Sequence, residues 1–190
     1  MIMKTFLGLF LFLYVTSVYS QFKYEASASH PFGKINPEAP KELKDFDLLI
    51  GECNCISRTR KANGNWNEPV NMIWRFKYIM NGMAVQDETL KEDGTYSGSI
   101  RQYSKDSLRW YVHYYSSAVA SPVLSTWEGN KKENKNIVLY REQKAPNGMD
   151  GFYRLTFSDI SKSGYQWIGE WVDTKEQIVF PTWKISCTKK

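Results

Sequence analysis

Apolar and polar residues alternate with a period of two from residue 52 almost to the C-terminus, in short runs separated by turn-forming residues. This alternation is typical of β-strands that bury one face. The pattern predicts ten strands, over residues 52–60, 69–79, 83–90, 96–104, 107–117, 122–128, 135–143, 151–158, 165–173 and 180–188. Because no helical pattern of about 10 to 15 residues lies between them, the strands are predicted to be antiparallel, in a barrel or a sandwich.

Turn and helix signals agree with this arrangement. Asn63-Gly64 and Asn81-Gly82 fit tight hairpin connections, where a positive φ is needed. Before the first strand, apolar residues recur at three-to-four spacing, Pro40 suits a first helical turn and Gly51 suits the exit. One short helix is predicted there, with Leu43, Phe46 and Leu49 or Ile50 on its apolar side.

The alternation also predicts which side chains point inward. The inward sets are Trp74, Phe76 and Tyr78; Leu108, Trp110, Val112 and Tyr114; Tyr153, Leu155 and Phe157; Tyr165, Trp167, Gly169 and Trp171; and Trp183, Ile185 and Cys187. His113 shares the opposite, outward face with Arg109 and Tyr111.

Aromatic residues make up 15% of the chain, and many of them fall in these inward sets. Buried Trp N–H and Tyr O–H groups need hydrogen-bond partners, so a sealed core usually prefers aliphatic residues. An aromatic interior with polar groups suits a cavity for a small apolar or planar molecule. The alternative is that the aromatic rings simply fill a wide barrel.

Seven inward residues are candidates for ligand binding. Six supply stacking surface and hydrogen-bonding tips, and the seventh, Asp87, supplies a polar anchor; the six are Trp74, Tyr78, Trp110, Tyr114, Trp167 and Trp171. Asp87 shares the face of Val85 and could instead transfer a proton as an acid or base, pair with Arg101, or lie on the barrel rim.

The three cysteines predict a covalent closure of the sheet. Cys53 and Cys55 lie on one face of the first strand, and Cys187 lies on the inward face of the last strand. Residues two apart on one strand are poorly placed for a disulfide. In an oxidising compartment Cys187 is therefore predicted to bond with Cys53 or Cys55, with the remaining thiol buried. Three reduced, buried thiols are the alternative.

The N-terminus has the pattern of a secretory signal peptide over residues 1–20: Lys4 precedes an apolar run, and small residues lie at the expected cleavage positions. A flexible arm is predicted over residues 21–36, and a single β-barrel domain over 37–190. The protein is then secreted or periplasmic. The formal charge of +5, lowered by one when Lys4 is removed, is scattered, which argues against a nucleic-acid partner. No segment after the leader has the pattern of a basic amphipathic helix, which argues against a membrane partner, and the oligomeric state stays open.

Catalytic and metal signatures do not emerge. The sequence holds no Gly-x-Ser-x-Gly, His-Glu-x-x-His, phosphate-binding glycine loop or dinucleotide fingerprint. With His30 in the arm and His113 facing outward, zinc lacks a fourth ligand, and haem lacks an axial ligand unless the strand register is inverted. No metal, cofactor or catalytic residue is predicted.

Several stretches resemble a bacterial family of unknown function that has a lipocalin-like (calycin) barrel. They are "FDLLIGEC", "WRFKYIMNGMAVQDE", "RQYSKDSLRWYVHY" and "YQWIGEWVDTKEQIVFPTWKI", within a similarity that covers residues 37 to 188. The resemblance implies a single antiparallel up-and-down barrel that holds a ligand. Calycins usually carry tryptophan where this chain has Cys53, which predicts a barrel bottom closed differently, by the disulfide and Trp183.

The sequence thus predicts a secreted all-β barrel that binds a small, partly apolar ligand in an aromatic-lined cavity. Two alternatives stay open. One is an enzyme that uses Asp87 as acid or base, and the other is a filled barrel that acts through its outer surface.

Overall fold

A computed structural model describes residues 22–190 of the chain. The predicted signal peptide, residues 1–20, lies outside the described residues. One 3-10 helix, Lys41–Leu49, precedes ten strands. The strands are β1 Gly51–Thr59, β2 Val70–Ile79, β3 Ala84–Lys91, β4 Tyr96–Ser104, β5 Arg109–Ser116, β6 Ser125–Lys131, β7 Ile137–Glu142, β8 Gly151–Ser158, β9 Gly164–Asp173 and β10 Val179–Lys189.

The ten strands close into one barrel. Each strand pairs antiparallel with its neighbour in sequence, and β1 pairs with β10 to complete the circle. This meander is the arrangement of up-and-down barrels, the class that includes lipocalins. The predicted barrel is confirmed, and the sandwich is excluded.

One predicted hairpin is longer than expected. Gly64 and Gly82 both have the positive φ that their turns require. However, β1 ends at Thr59 and β2 begins only at Val70, so Gly64 lies within a ten-residue connection. Pro69 immediately precedes β2 and has no N–H to donate to β1, which favours a late start of the ladder.

The predicted inward face is confirmed for most positions. Trp74, Phe76 and Val112 are buried, while their outward neighbours lie nearer to solvent. Leu108 is the exception, because it is 66% exposed. It has a φ of 53° and lies in the turn before β5, so it precedes the point at which strand alternation begins.

The 3-10 helix closes one end of the barrel. Its buried residues, Leu43, Phe46 and Leu49, recur every third position, which is the period of this helix type. The Phe46 ring lies 4.8 Å, centroid to centroid, from Trp110 and 6.3 Å from Phe157. The barrel bottom is therefore closed by the helix.

Trp183 and the disulfide do not form this closure, and that expectation was wrong. Trp183 pairs with Thr59, at the end of β1 that lies away from the helix. The helix leads directly into Gly51 through Ile50, so its apolar residues reach the bottom first.

A single disulfide joins the first and last strands. Cys55 and Cys187 are direct partners in the β1–β10 ladder, with Cα atoms 4.1 Å apart, and their sulfur atoms are bonded. Cys53 is the remaining thiol and is fully buried. The predicted bridge from Cys187 is thus present, and Cys55 is its partner.

Residues 22–36, the described part of the predicted arm, lie against the β2–β3 hairpin. The Tyr78 amide donates a hydrogen bond to the carbonyl oxygen of Phe32, and the Asn36 amide donates to that of Gly82. A Cβ atom at Gly82 would lie 2.3 Å from the Lys34 carbonyl oxygen, so glycine permits this close approach. The flexibility of the arm stays a prediction.

Candidate binding cavity

An internal cavity of about 210 Å³ lies between the helix-closed bottom and the opposite end of the barrel. Its wall combines six aromatic rings with a few polar groups. The rings are those of Trp74, Tyr114, Trp127, Tyr153, Trp167 and Trp183. Since Tyr114, Tyr153 and Trp183 are partly exposed, the cavity reaches solvent at the end away from the helix.

Hydrogen bonds hold most of the tryptophan rings of this wall in place. The indole N–H of Trp127 donates to the Tyr153 carbonyl oxygen at 3.2 Å, and that of Trp183 donates to the Ser57 hydroxyl at 2.8 Å. Trp74 donates to Asp87 at 2.6 Å. Among residues 22–190, the Trp167 indole N–H has no hydrogen-bond partner. One ring of the wall therefore retains a donor.

A buried ion pair forms the deeper polar part of the cavity. Asp87 lies opposite Ser99 in the β3–β4 ladder, and Arg101 is two residues along, a diagonal within reach of a long side chain. Arg101 donates through Nη1 to one carboxylate oxygen of Asp87, while Trp74 donates to the other. Both charged side chains are at most 4% exposed. Such a charge needs a partner to be retained in the interior.

Aromatic faces also surround Arg101. Its guanidinium carbon lies 4.9 Å from the Phe76 ring centroid and 5.3 Å from that of Phe46, distances at which cation–π attraction operates. The Nε–H of Arg101 is buried and makes no hydrogen bond to the described residues. A buried donor without a partner costs free energy, and this atom is closed off both from solvent and from the cavity.

Arg141 lies near the mouth of the cavity and is only partly exposed. Its guanidinium carbon lies 4.3 Å from the Trp127 ring centroid and 5.9 Å from that of Tyr153. Its Nη2 donates to the neutral side chain of Gln143. No carboxylate pairs with Arg141 among residues 22–190. Burial lowers the pKa of its guanidinium, and the neighbouring Tyr153 partly offsets that effect.

Four of the seven predicted ligand-binding residues line this cavity: Trp74, Asp87, Tyr114 and Trp167. Alternation places a side chain inside or outside but carries no information about its depth along the barrel axis. The inward positions near the bottom therefore meet the helix rather than the cavity.

The other three predicted residues, Tyr78, Trp110 and Trp171, lie outside the cavity wall. Tyr78 donates its hydroxyl proton to Asp47 at 3.0 Å, and Trp110 donates to Asp45 at 3.2 Å, so both hold the helix. Trp171 donates to the Gln143 carbonyl oxygen at 2.8 Å. It packs across Gly151 near the end of β9.

Sequence reasoning missed several cavity residues, among them Arg141, Trp127, Ser97 and Ser99. Ile137, Leu139 and Arg141 alternate along β7, so the same period of two places Arg141 inward. A charged residue on an otherwise apolar strand face is the signal that marks Arg141.

A broader depression of about 790 Å³ lies on the outer wall, across β1, β2, β3 and β10. Its lining includes Asn54, Ile56, Asn71 and Ile73, which alternate with inward positions. It holds no buried charged pair and no ring cluster. The interior cavity is the stronger candidate because its polar groups converge within an apolar wall.

Over residues 22–190, no three His, Cys, Asp or Glu side chains cluster as metal ligands would. His113 faces outward, and its Nδ1 atom lies 3.0 Å from the Thr126 hydroxyl. No helix in this part of the chain has the length and apolar character needed to span a bilayer.

Comparisons with known proteins identify no family for this chain. No protein-family model and no curated protein matches the chain, so the bacterial family remains a resemblance. Among solved structures, the S-type phycobiliprotein lyase of Guillardia theta aligns with 77% of this chain and 91% of its own, at 8% identity and a TM-score of 0.48. A similarity of this size says nothing about the ligand of the present barrel.

Proposed function

We propose that this protein binds a small, partly apolar molecule non-covalently inside the barrel. The observation that supports the proposal is the cavity of about 210 Å³, walled by six aromatic rings and entered from one end. Its volume lies below the roughly 300–1,000 Å³ typical of drug-sized ligands, so the ligand is compact.

Unused polar groups in the wall favour a binding role over a filled core. The indole N–H of Trp167 has no hydrogen-bond partner within residues 22–190, and Arg141 has no carboxylate partner there. A filled barrel that acts only through its outer surface would gain stability from apolar residues at these positions. A ligand with one or two acceptor atoms satisfies such donors.

Catalysis by Asp87 is less well supported. Both of its carboxylate oxygens already accept hydrogen bonds from charged or indole N–H groups. A general acid or base must lie within hydrogen-bond reach of the proton that it transfers, whereas here both oxygens are engaged with neighbouring side chains. Asp87 instead has the contacts of a group that positions Trp74 and Arg101 in the cavity wall.

We also propose that the protein works outside the cytosol. The predicted signal peptide and the Cys55–Cys187 disulfide support this, because disulfides persist mainly in oxidising compartments. Cell fractionation of the tagged full-length chain tests it. Retention in the cytosol with an intact leader would contradict it.

Native mass spectrometry tests the binding proposal directly. The mature protein is purified from an oxidising compartment without refolding, and a reproducible adduct of at most a few hundred daltons is expected. Ser99→Met extends a longer side chain into the cavity and should abolish the adduct. Ser186→Met, at an exposed position on β10, is the matched control and should retain it.

One combined result would overturn the proposal. It is a bare mass from several expression hosts together with no binding of aromatic or aliphatic probe molecules. Retention of the adduct in Ser99→Met would also contradict it, since the adduct would then not lie in the cavity.

A further inference from the structure

We infer that the ligand is an organic monoanion, a compact carboxylate whose acid group binds Arg141 at the cavity mouth while its apolar part packs among the tryptophan rings. This inference rests on the proposed function and narrows it to a ligand class.

The charges of the cavity wall carry the argument. Three side chains of the wall are an acid or a base of charged type: Asp87, Arg101 and Arg141. Asp87 and Arg101 form a hydrogen-bonded ion pair, so their charges cancel. Arg141 has no carboxylate partner among the described residues. The wall therefore presents one uncompensated positive charge.

Lys91, a lysine near the same end of the barrel, does not change this charge balance. The Nζ atom of Lys91 lies 5.0 Å from the centroid of the cavity ring Trp183. Its Nζ atom lies 3.9 Å from a carboxylate oxygen of Asp93, so its charge has a counter-ion. Neither Lys91 nor Asp93 lines the cavity.

The chemistry of Arg141 favours a carboxylate in particular. A guanidinium carries five N–H donors in a planar fork, and the protein accepts from only one of its nitrogens, through Gln143. The remaining donors match the two oxygens of a carboxylate in a bidentate pair. The Trp127 ring, 4.3 Å from the guanidinium carbon, holds the planar group in place.

The depth of the cavity then sets the rest of the ligand. Beyond Arg141 the wall continues through Leu155 to Trp74 and Trp167, so an apolar ring or short chain attached to the acid group meets rings and aliphatic carbon. The cavity of about 210 Å³ is smaller than the sites that drug-sized ligands occupy. A single ring with a short acid chain is of this size, and a long-chain fatty acid is not.

Two probes with one skeleton test the inference: 3-phenylpropionate and the neutral 3-phenylpropan-1-ol. Binding to the mature, oxidised protein is followed by tryptophan fluorescence and by ligand-observed NMR. We expect the acid to bind at least about tenfold more tightly than the alcohol, the factor that a charge-assisted hydrogen bond typically supplies. Arg141→Gln should remove this preference and leave binding of the alcohol unchanged.

Two further variants complete the design. Arg141→Lys keeps the charge but not the planar fork, and should restore only part of the preference. Arg109→Gln is the matched control, because Arg109 pairs with Glu128 on the outer wall. It should bind both probes as the unaltered protein does. Far-ultraviolet circular dichroism of each variant confirms that the barrel is folded.

The outcomes separate the two proposals. If both probes bind equally and Arg141→Gln changes neither, the cavity binds ligands but the inference about the anion is wrong. If the alcohol binds more tightly than the acid, the inference is likewise overturned. If neither these probes nor any cellular adduct binds, the proposed function fails and the inference fails with it.

Discussion

The indole nitrogen of Trp74 lies 2.6 Å from a carboxylate oxygen of Asp87, and Arg101 binds the other oxygen of the same group. These three side chains come from three adjacent strands, β2, β3 and β4. Together they place an ion pair in the interior without leaving either carboxylate oxygen unpaired. The stability of the barrel should therefore depend on Asp87 as a charge.

Replacing Asp87 with asparagine tests this dependence. Asp87→Asn keeps the shape of the side chain but leaves the Arg101 charge buried and uncompensated, which typically costs about 3–5 kcal/mol. Urea denaturation followed by fluorescence measures the change. The double variant Asp87→Leu/Arg101→Met removes both charges and should recover most of the lost free energy of unfolding. Equal losses in the single and double variants would contradict the role assigned to the pair.

The Cys55–Cys187 disulfide should contribute strongly to stability. It joins residues 132 apart, for which chain entropy gives up to about 5 kcal/mol, and measured losses on removing native disulfides are roughly 2–5 kcal/mol. Cys55→Ala/Cys187→Ala should therefore lower the free energy of unfolding by an amount in that range.

Reducing agent provides an internal control for the disulfide. It should lower the urea midpoint of the unaltered protein and of Cys53→Ala, but not that of Cys55→Ala/Cys187→Ala. A reductant effect in the double variant would show that another bond is responsible.

Stability should fall at alkaline pH. Burial raises the pKa of the Tyr165 hydroxyl well above its usual value near 10, with the neighbouring Cys53 adding to the shift, and burial also raises the pKa of the Cys53 thiol. The pKa of the Tyr78 hydroxyl is also raised, by burial and by the neighbouring Asp47. Above pH 9 to 10 the unfolded chain thus releases protons that the folded chain retains.

The sign of the pH effect follows from proton linkage. In this pH range the unfolded state binds fewer protons than the folded state. The stabilisation from these groups is therefore complete below their unfolded pKa values and is lost as the pH rises toward their folded pKa values. The free energy of unfolding falls by up to about 1.4 kcal/mol per pH unit for each group. Urea midpoints from pH 7.5 to 11 measure this. Tyr165→Phe should reduce the slope above pH 10. An unchanged slope would contradict the assignment.

The aromatic anchor of the helix can be removed selectively. Phe46 is fully buried against Trp110 and Phe157, so Phe46→Ala should cost about 3–5 kcal/mol. Leu48, on the same helix, is 44% exposed, and Leu48→Ala is the matched control with a change within about 0.5 kcal/mol. Thermal melting by circular dichroism compares the two. Similar losses in both variants would contradict closure of the bottom by Phe46.

The strands were predictable because the alternation is local. Each inward set needs only a few consecutive residues, such as Tyr153, Leu155 and Phe157, to define a face. The helix was equally visible in the spacing of Leu43 and Phe46. The prediction that Leu108 points inward was wrong because Leu108 is a turn residue with a positive φ that precedes its strand. A period of two does not show where strand pairing begins.

The binding site was less predictable, because it depends on depth and on partners. Trp110 and Trp167 have the same inward parity, yet one contacts the helix and the other lines the cavity. The choice of Cys55 over Cys53 depends on the register between strands at opposite ends of the sequence. The inward parity of Arg141 could be read from β7, but its lack of a carboxylate partner is a property of the folded barrel alone.

The bond between Cys55 and Cys187, which are 132 residues apart in sequence, also makes the chain between them a covalent ring. A protease that cuts once inside this ring, for example in the exposed residues 117–124, opens a circle and releases no fragment. Both pieces stay linked, and the ladders on either side of the cut can hold their register. A nicked molecule should therefore migrate as one chain until it is reduced, and its cavity should outlast the first cut.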